Sequence, residues 1–321
     1  MNFKHKLIFL WVVILSITRA FAADYPTKPI KIVVTFPPGG PVDNSIRIIT
    51  EKLSELMKQP IFVENKAGAG GTVGAQIVAR AEPDGYTLLA TSSAFAVNPT
   101  LYGAKAGYDP IKDFIPIVVV STQPNVISIN EKVPAKTLEE LKTLAKDGKL
   151  SFSSPGSGTT PHLTCENIFH LKWKSEIVHI PYKGAGPASL AVVSNETPVA
   201  CTAAFGVFQF HKQGKVKILG ISSDKRLPSL PDVPTFVELG YPDIKDYTWS
   251  TIFAPSGTPA VIVQKLNTAI NQLLAMPEFK EKFDKGGLIP VGGSLQETST
   301  YISSEVKRWG QIVRETNAQV D

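Results

Sequence analysis

Four glycine-rich stretches carry the chemistry open to this chain: FPPGG (residues 36–40), GAGG (68–71), SPGSG (154–158) and YKGAG (182–186). Each ends a β-rich run and opens a helical pattern. Glycine lets the backbone approach a ligand closely, because it has no Cβ. A helix N-terminus offers N–H groups without intrahelical partners and a partial positive charge. Together these features bind an anion with backbone alone. Pro41, Pro161 and Pro187 stand where three of the helices are expected to begin, a position where the missing N–H costs nothing. Two stretches lie in the first third of the chain and two in the middle, which points to two lobes closing on one small anion.

The side chains beside these loops admit two readings each. Asp43 either complements a helix dipole and orders its loop or touches the ligand. His162 either donates to a carboxylate or packs at a helix start. Lys183 either neutralises a ligand or is a solvated loop lysine. Phe36 and Tyr182 either line a pocket or join the core. Ser154 or Ser157 with His162 would begin a hydrolase, but no third group marks itself as holding the base. GAGGTVG departs from a dinucleotide fingerprint, since Val73 stands where the third glycine belongs and Gly74 comes one residue late. The chain has no Gly-x-Ser-x-Gly elbow, no Walker loop and no His-Glu-x-x-His. Neither a metal nor a cofactor is expected.

The elements that must position these loops alternate between strand and helix. Strands are predicted at 30–36, 61–65, 86–91, 150–153, 177–180, 199–203 and 216–222. Residues 114–121, 126–130 and 248–254 read as extended. Ile46, Ile49, Leu53 and Leu56 recur at helical spacing. Further helices are expected at 71–81, 161–171, from 187, 260–274 resuming at 278, and 298–316. Thr137 with Glu140 makes a capping box for a helix through 145. The alternation predicts an α/β fold with parallel sheets, whose ligands bind beyond the carboxyl ends of the strands. All four glycine loops fall at that edge.

The N-terminus sets the expected compartment. Lys4 and Lys6 precede an apolar run over 7–17, followed by Ala20-Phe21-Ala22. This pattern predicts a secretory signal peptide over 1–22, cleaved after Ala22, and export to the periplasm. A retained anchor is the alternative. Of 33 basic and 28 acidic residues, Lys4, Lys6 and Arg19 leave with that segment, so the mature charge is +2. That balance removes the electrostatic case for nucleic-acid binding. Cys165 and Cys201 fit no zinc spacing and form either a disulfide or two separate buried thiols.

Several longer stretches carry a family resemblance: YPTKPIKIVVTFPPGGPVD (25–43), VENKAGAGGTVG (63–74), PDGYTLL (83–89), NPTLY (98–102) and YDPIKDFIPI (108–117). SSPGSGTTPHL (153–163), PYKGAGPA (181–188), RLPSLPDVPTFVELG (226–240) and FAPSGTP (253–259) continue the set. Through them the chain resembles the tripartite tricarboxylate transporter substrate-binding family, the Bug receptors. It departs from that pattern at 191–205, which leaves one wall of the site open. The resemblance implies a two-lobe, periplasmic-binding-protein-like (flytrap) fold, each lobe a mostly parallel sheet flanked by helices. Residues 23–123 plus 249–321 would form one lobe and 124–248 the other, with hinges near Gln123 and Tyr247. It implies a monomeric receptor that delivers a small carboxylate to membrane transporter subunits and catalyses nothing. First-lobe contacts would come from Phe36, Pro38, Gly39, Gly40, Gly68, Ala69 and Gly70. Second-lobe contacts would come from Ser154, Ser157, Gly158, Thr159, Thr160, Lys183 and Gly184, with Asp43 and His162 as further candidates. A secreted hydrolase-like enzyme and a ligand-sensing receptor for a signalling partner remain the alternatives. Di- and tricarboxylates, aromatic acids and acidic amino acids all remain open as ligands.

Overall fold

A computed structural model describes residues 25–316; the expected signal peptide lies outside the described residues. No helix among the described residues is long and apolar enough to cross a membrane. The order begins β1 (Ile30–Val34), α1 (Pro41–Met57), β2 (Ile61–Asn65), α2 (Thr72–Ala79), β3 (Thr87–Ser92) and α3 (Ala94–Tyr102). It continues through β4 (Phe114–Asn130), α4 (Leu138–Ala145), β5 (Ser151–Ser154), α5 (Thr160–Glu166), β6 (Val178–Pro181) and α6 (Ala185–Ser194). The remainder is β7 (Val199–Ala203), α7 (Ala204–Lys212), β8 (Val216–Ile221), β9 (Tyr247–Pro255), α8 (Ala260–Leu274), α9 (Pro277–Lys285), β10 (Ile289–Gly292) and α10 (Leu295–Thr316).

One curled sheet runs β2-β1-β3-β9-β4-β7-β5-β6, with β8 and β10 also on β4. The two extended segments expected at 114–121 and 126–130 are one strand of 17 residues. Its residues 114–124 pair antiparallel with β9, while 125–130 pair antiparallel with β7 and β8. Parallel pairing joins β1 to β2 and β3, and β5 to β6 and β7. The sheet therefore has two mixed halves that share β4.

Side-chain alternation builds a core on each face of each half. Ile30, Ile32 and Val34 of β1 face a core with α1 and α8. Val33 points the other way, into a core with Trp249, Ile302, Trp309 and Val313. In the second half Ile127 and Ile129 face Phe152 and Phe169, and Val126 faces Val207 and Phe208. Burial of this kind stabilises by about 25 cal/mol per Å² of apolar surface. Cys165 of α5 and Cys201 of β7 are joined by a disulfide within the second half.

Helix α4 confirms the expected cap: Thr137 Oγ1 accepts the Glu140 N–H at 3.2 Å. Glu140 reaches back one residue further than a capping box requires, to the Lys136 N–H. Pro41 opens α1, but Pro161 is the second residue of α5 and Pro187 the third of α6. Those two helices start earlier because their own loop residues, Thr160 and Ala185, already adopt helical backbone.

Candidate functional site

A cleft of about 110 Å³ opens between the two halves, at the carboxyl ends of β1, β3, β5, β6 and β7. Eight of the expected residues line it: Phe36, Pro38, Gly39, Gly40, Thr159, Thr160, Lys183 and Gly184. Twelve further residues line it, and four of these lie away from the glycine loops: Ser92, Ser93, Ala203 and Thr248. Ser92 and Ser93 precede α3, and Ala203 precedes α7. Neither helix was read from the sequence. The Ser-Ser pair before Ala94 was a usable N-cap signal, whereas Thr202-Ala203-Ala204 offers none.

The N-termini of α1 and α3 from one half, and of α5, α6 and α7 from the other, all open on this cleft. Each brings N–H groups without intrahelical partners and the positive end of a helix dipole, although the Phe205 N–H of α7 already donates to Gln123 Oε1 and the Ala94 N–H of α3 to Ser92 Oγ. Among the described residues Lys183 is the one charged side chain in the lining. Phe36 serves both of its readings, since it lines the cleft and also packs on the first core.

Eight expected residues lie outside the lining: Asp43, Gly68, Ala69, Gly70, Ser154, Ser157, Gly158 and His162. Asp43 is buried, and its carboxylate is spent on the loop. Oδ2 accepts the Gly39 N–H at 2.9 Å, Oδ1 accepts Asn65 Nδ2 at 2.9 Å, and Arg47 Nε reaches both oxygens. Burial alone would raise its pKa, but these hydrogen bonds and the Arg47 charge outweigh it and lower the pKa. The loop-ordering reading of Asp43 therefore holds.

GAGG lies outside the lining, SPGSG reaches it only through Pro155, and the glycines of the two loops approach each other's surroundings instead. Asn98 of α3 donates to the Gly70 carbonyl at 3.0 Å. A Cβ placed on Gly70 would lie 3.4 Å from the Ser157 carbonyl oxygen, and one on Gly158 would lie 2.4 Å from Leu101 Cδ2. Gly68 and Ala69 only shape this turn: the Gly71 N–H closes on the Gly68 carbonyl and Thr72 Oγ1 on that of Ala69.

Ser154 and His162 belong to a buried layer beneath SPGSG. Ser154 Oγ and His179 Nε2 are 2.7 Å apart, and Gly156 N–H donates to Ser154 Oγ. His162 Nδ1 accepts the Gly158 N–H. The His162 and His179 rings stack with centroids 3.9 Å apart. Glu166 sits below, 3.3 Å from His162 and bonded to His170. Burial, and then the neighbouring His162, push His179 down to about 3. A base that weak does not activate serine, so Ser154 and His179 make no hydrolytic dyad. The atoms of His162, Glu166 and His179 lie within 4.8 Å of one another. However, ring nitrogens of both histidines are already engaged, His162 Nδ1 by the Gly158 N–H and His179 Nε2 by Ser154 Oγ, which suits a packed layer.

A hydrogen-bonded line of side chains leaves the cleft floor. Ser93 Oγ is 2.7 Å from Thr160 Oγ1, which is 2.8 Å from Thr248 Oγ1. Thr248 donates to Asn125 Oδ1 at 2.8 Å, and Asn125 Nδ2 donates to Thr164 Oγ1 at 2.9 Å. Thr164 bonds to Asp246, whose other oxygen accepts Arg308 Nη1 at 2.7 Å. None of these groups was singled out from the sequence except Thr160. Burial raises the Asp246 pKa despite the Arg308 charge beside it.

A curled α/β sheet in two halves, with its cleft at the switch between them, is the fold of two-lobe solute-binding proteins. The model of the tripartite tricarboxylate transporter family receptor matches residues 45–318, and the chain belongs to that family. It is 34% identical over 318 residues to protein BugT of Bordetella pertussis, covering 98% of this chain and 97% of BugT. Among solved structures it is similar to the periplasmic binding protein BugD, with a TM-score of 0.86, 32% identity, and 92% of this chain and all of that one covered. The Rhodopseudomonas palustris protein Rpa4515 with adipate matches at a TM-score of 0.88 and 29% identity, again over 92% and 100% of the two chains. MatC of Rhodopseudomonas palustris with bound malate matches at 0.84 and 30%, over 90% and 100%. The family and these neighbours are solute-binding proteins, not enzymes.

Proposed function

We propose that this chain is a periplasmic receptor that captures a small carboxylate between two lobes and delivers it to a tripartite tricarboxylate-type membrane transporter. The observation that carries this reading is the convergence of helix N-termini from both halves of the sheet on one small cleft, with Lys183 as its sole charged side chain. Adipate and malate in the two Rhodopseudomonas proteins support the carboxylate class. The Bug relatives and the apolar run ending at Ala22 support the compartment.

In this reading residues 23–123 with 249–321 form one lobe and 124–248 the other. The two sheet halves meet in β4 at 124–125, and the chain re-enters the first half through β9 at Tyr247. Only a closed cleft lets N–H groups of α1 and α6 meet one ligand. The ligand then binds the closed form better, and that difference shifts the population toward it.

A thermal-shift screen of carboxylic acids against their amides tests the proposal. At a hundredfold excess over the dissociation constant, a bound acid adds about 2.7 kcal/mol of stability. Solution scattering on any hit is expected to show a smaller radius of gyration. Equal stabilisation by acid and amide removes the anion site, and stabilisation without compaction removes the closing lobes.

A further inference from the structure

Behind the cleft, the C-terminal helix reaches from one half of the sheet to the other. Helix α10 packs in the first half through Ile302, Trp309 and Val313, and the same core takes in Leu163 of α5. Asp246 makes a directional join between these two helices. Its Oδ1 accepts Arg308 Nη1 of α10 at 2.7 Å, and its Oδ2 accepts the Thr164 hydroxyl of α5 at 3.0 Å. Helix α5 thus meets the cleft at its first turn, through Thr160, and Asp246 at its second.

A buried carboxylate is a costly way to make that join. Asp246 is 3% exposed and shares the Arg308 guanidinium with Glu305, itself 6% exposed. Among the described residues Arg308 is the one cation bonded to either, so the group holds a net negative charge out of water. Glu305 does not need Asp246: its Oε2 accepts Trp249 Nε1 and Trp309 Nε1, and its Oε1 accepts Arg308 Nε. Nor does Arg308, which would keep Glu305 and its place over the Trp309 ring. Burial raises the Asp246 pKa, so at neutral pH the ionised carboxylate lowers the stability of the fold.

What the charge provides is direction. Thr164 has one hydroxyl proton and two acceptors in reach, Asp246 Oδ2 and the Thr160 carbonyl at 2.9 Å. The charged acceptor takes it, because such a bond is roughly twice as strong as a neutral one. Bonding to the carbonyl would tie α5 only to itself. The carboxylate turns Thr164 outward and fixes α5 against α10. Resting on the receptor reading above, we infer that Asp246 is a positioning residue for solute capture. It lies outside the cleft lining, and through Thr164 it holds the first turn of α5, with Thr159 and Thr160, at the cleft against Ser93 of the other half.

The test sets affinity against stability. Calorimetric titration of the mature protein with malate, succinate, adipate, citrate, benzoate and glutamate supplies the probe, the acid that binds most tightly. Asp246→Asn keeps the shape and an acceptor for Arg308 and removes the buried charge. It is expected to melt no lower than the unaltered protein at pH 7, yet to bind the probe about tenfold more weakly. A residue that only held the fold together would lose stability and affinity at once. Thr164→Val cuts the other side of the join and should weaken binding to a similar degree, and Thr164→Ser, which restores the hydroxyl, should recover most of that loss. Because both substitutions cut one link, the double variant should bind within about twofold of the weaker single variant. Unchanged affinity in Asp246→Asn, a fall in its melting temperature alongside the loss of affinity, or additive losses in the double variant would overturn this inference and leave the receptor standing. Binding of none of the six acids to the unaltered protein would overturn the receptor reading and this inference with it.

Discussion

The four glycine loops look alike in sequence and divide into two pairs in space. FPPGG and YKGAG line the cleft, with nothing within 4 Å of a Cβ placed on Gly39 and only Pro37, at 3.4 Å, near one on Gly184. GAGG and SPGSG are pressed against neighbours: Gly71 and Gly74 against Thr35, Gly158 against Leu101. The first pair is glycine-rich where the cleft is left open. The second is glycine-rich because another part of the protein fills the space beside it. A glycine loop at a strand end therefore signals close approach, and does not say what approaches.

The largest effect that separates the pairs should come from Gly158→Val. Its φ of +79° strains a β-branched residue, and the Leu101 methyl 2.4 Å from the new Cβ must also move aside. A loss of about 2–4 kcal/mol is expected by urea denaturation. The sequence alone would assign this substitution an effect on binding rather than on folding. Unchanged stability would return SPGSG to the cleft.

Breaking the Cys165–Cys201 bond should come next. It closes a separation of 36 residues and ties α5 to β7, the two elements that carry Thr160 and Ala203 to the cleft. Reduction, or Cys201→Ala with Cys165→Ala, should cost about 2–4 kcal/mol in the melting of the intact chain. An unchanged melting temperature would mean that packing alone holds the second half.

Gly184→Val is the counterpart of the first variant. Its left-handed φ of +115° brings some strain, about 1–2 kcal/mol. Its main effect should be on affinity, a loss of about tenfold or more by calorimetry, since the side chain enters the cleft. A stability loss equal to that of Gly158→Val, with affinity kept, would abolish the distinction between the pairs.

The effect that is smallest at neutral pH, and grows only as acid is added, is the pH dependence beneath SPGSG. His179 is held down to about 3 by burial, so between pH 3 and its unfolded value near 6.5 the unfolded chain binds the extra proton. Stability is then complete above about pH 6.5 and falls as pH drops, by up to about 1.4 kcal/mol per unit. Glu166 adds to the loss only at lower pH. Burial raises it, but the hydrogen bonds of His162 and His170 hold it at about 2, so its contribution fades below about 4.5. His179→Gln should flatten the melting profile between pH 6.5 and 4.5. An unaltered slope would place the titrating group elsewhere.

Much of the fold was legible because it is written in local pattern. The bounds of β2, β7 and α8 follow from β-branched runs and helical spacing, and the Thr137 cap from a motif four residues long. The family was legible because its motifs span the chain. What stayed hidden depends on residues far apart. Asp43 could not be assigned without Asn65 and Arg47, nor Gly158 without Leu101. The cysteine pairing was open because spacing states no distance, and only folding brings the two Cα atoms to 6.3 Å. Helix α3 escaped because residues 94–98 are all buried and show no amphipathic period, and α7 because Ala204, Val207 and Phe208 make too short a pattern. By itself, then, the sequence determined an α/β solute-binding fold with glycine loops at the carboxyl ends of its strands, since strand, helix and turn chemistry act within a few residues. Only the tertiary structure decided which loops line the cleft, which pack against other segments, and that a hydrogen-bonded line of side chains runs from Ser93 to Asn125. Those outcomes rest on contacts between segments dozens of residues apart, whose geometry no local pattern contains.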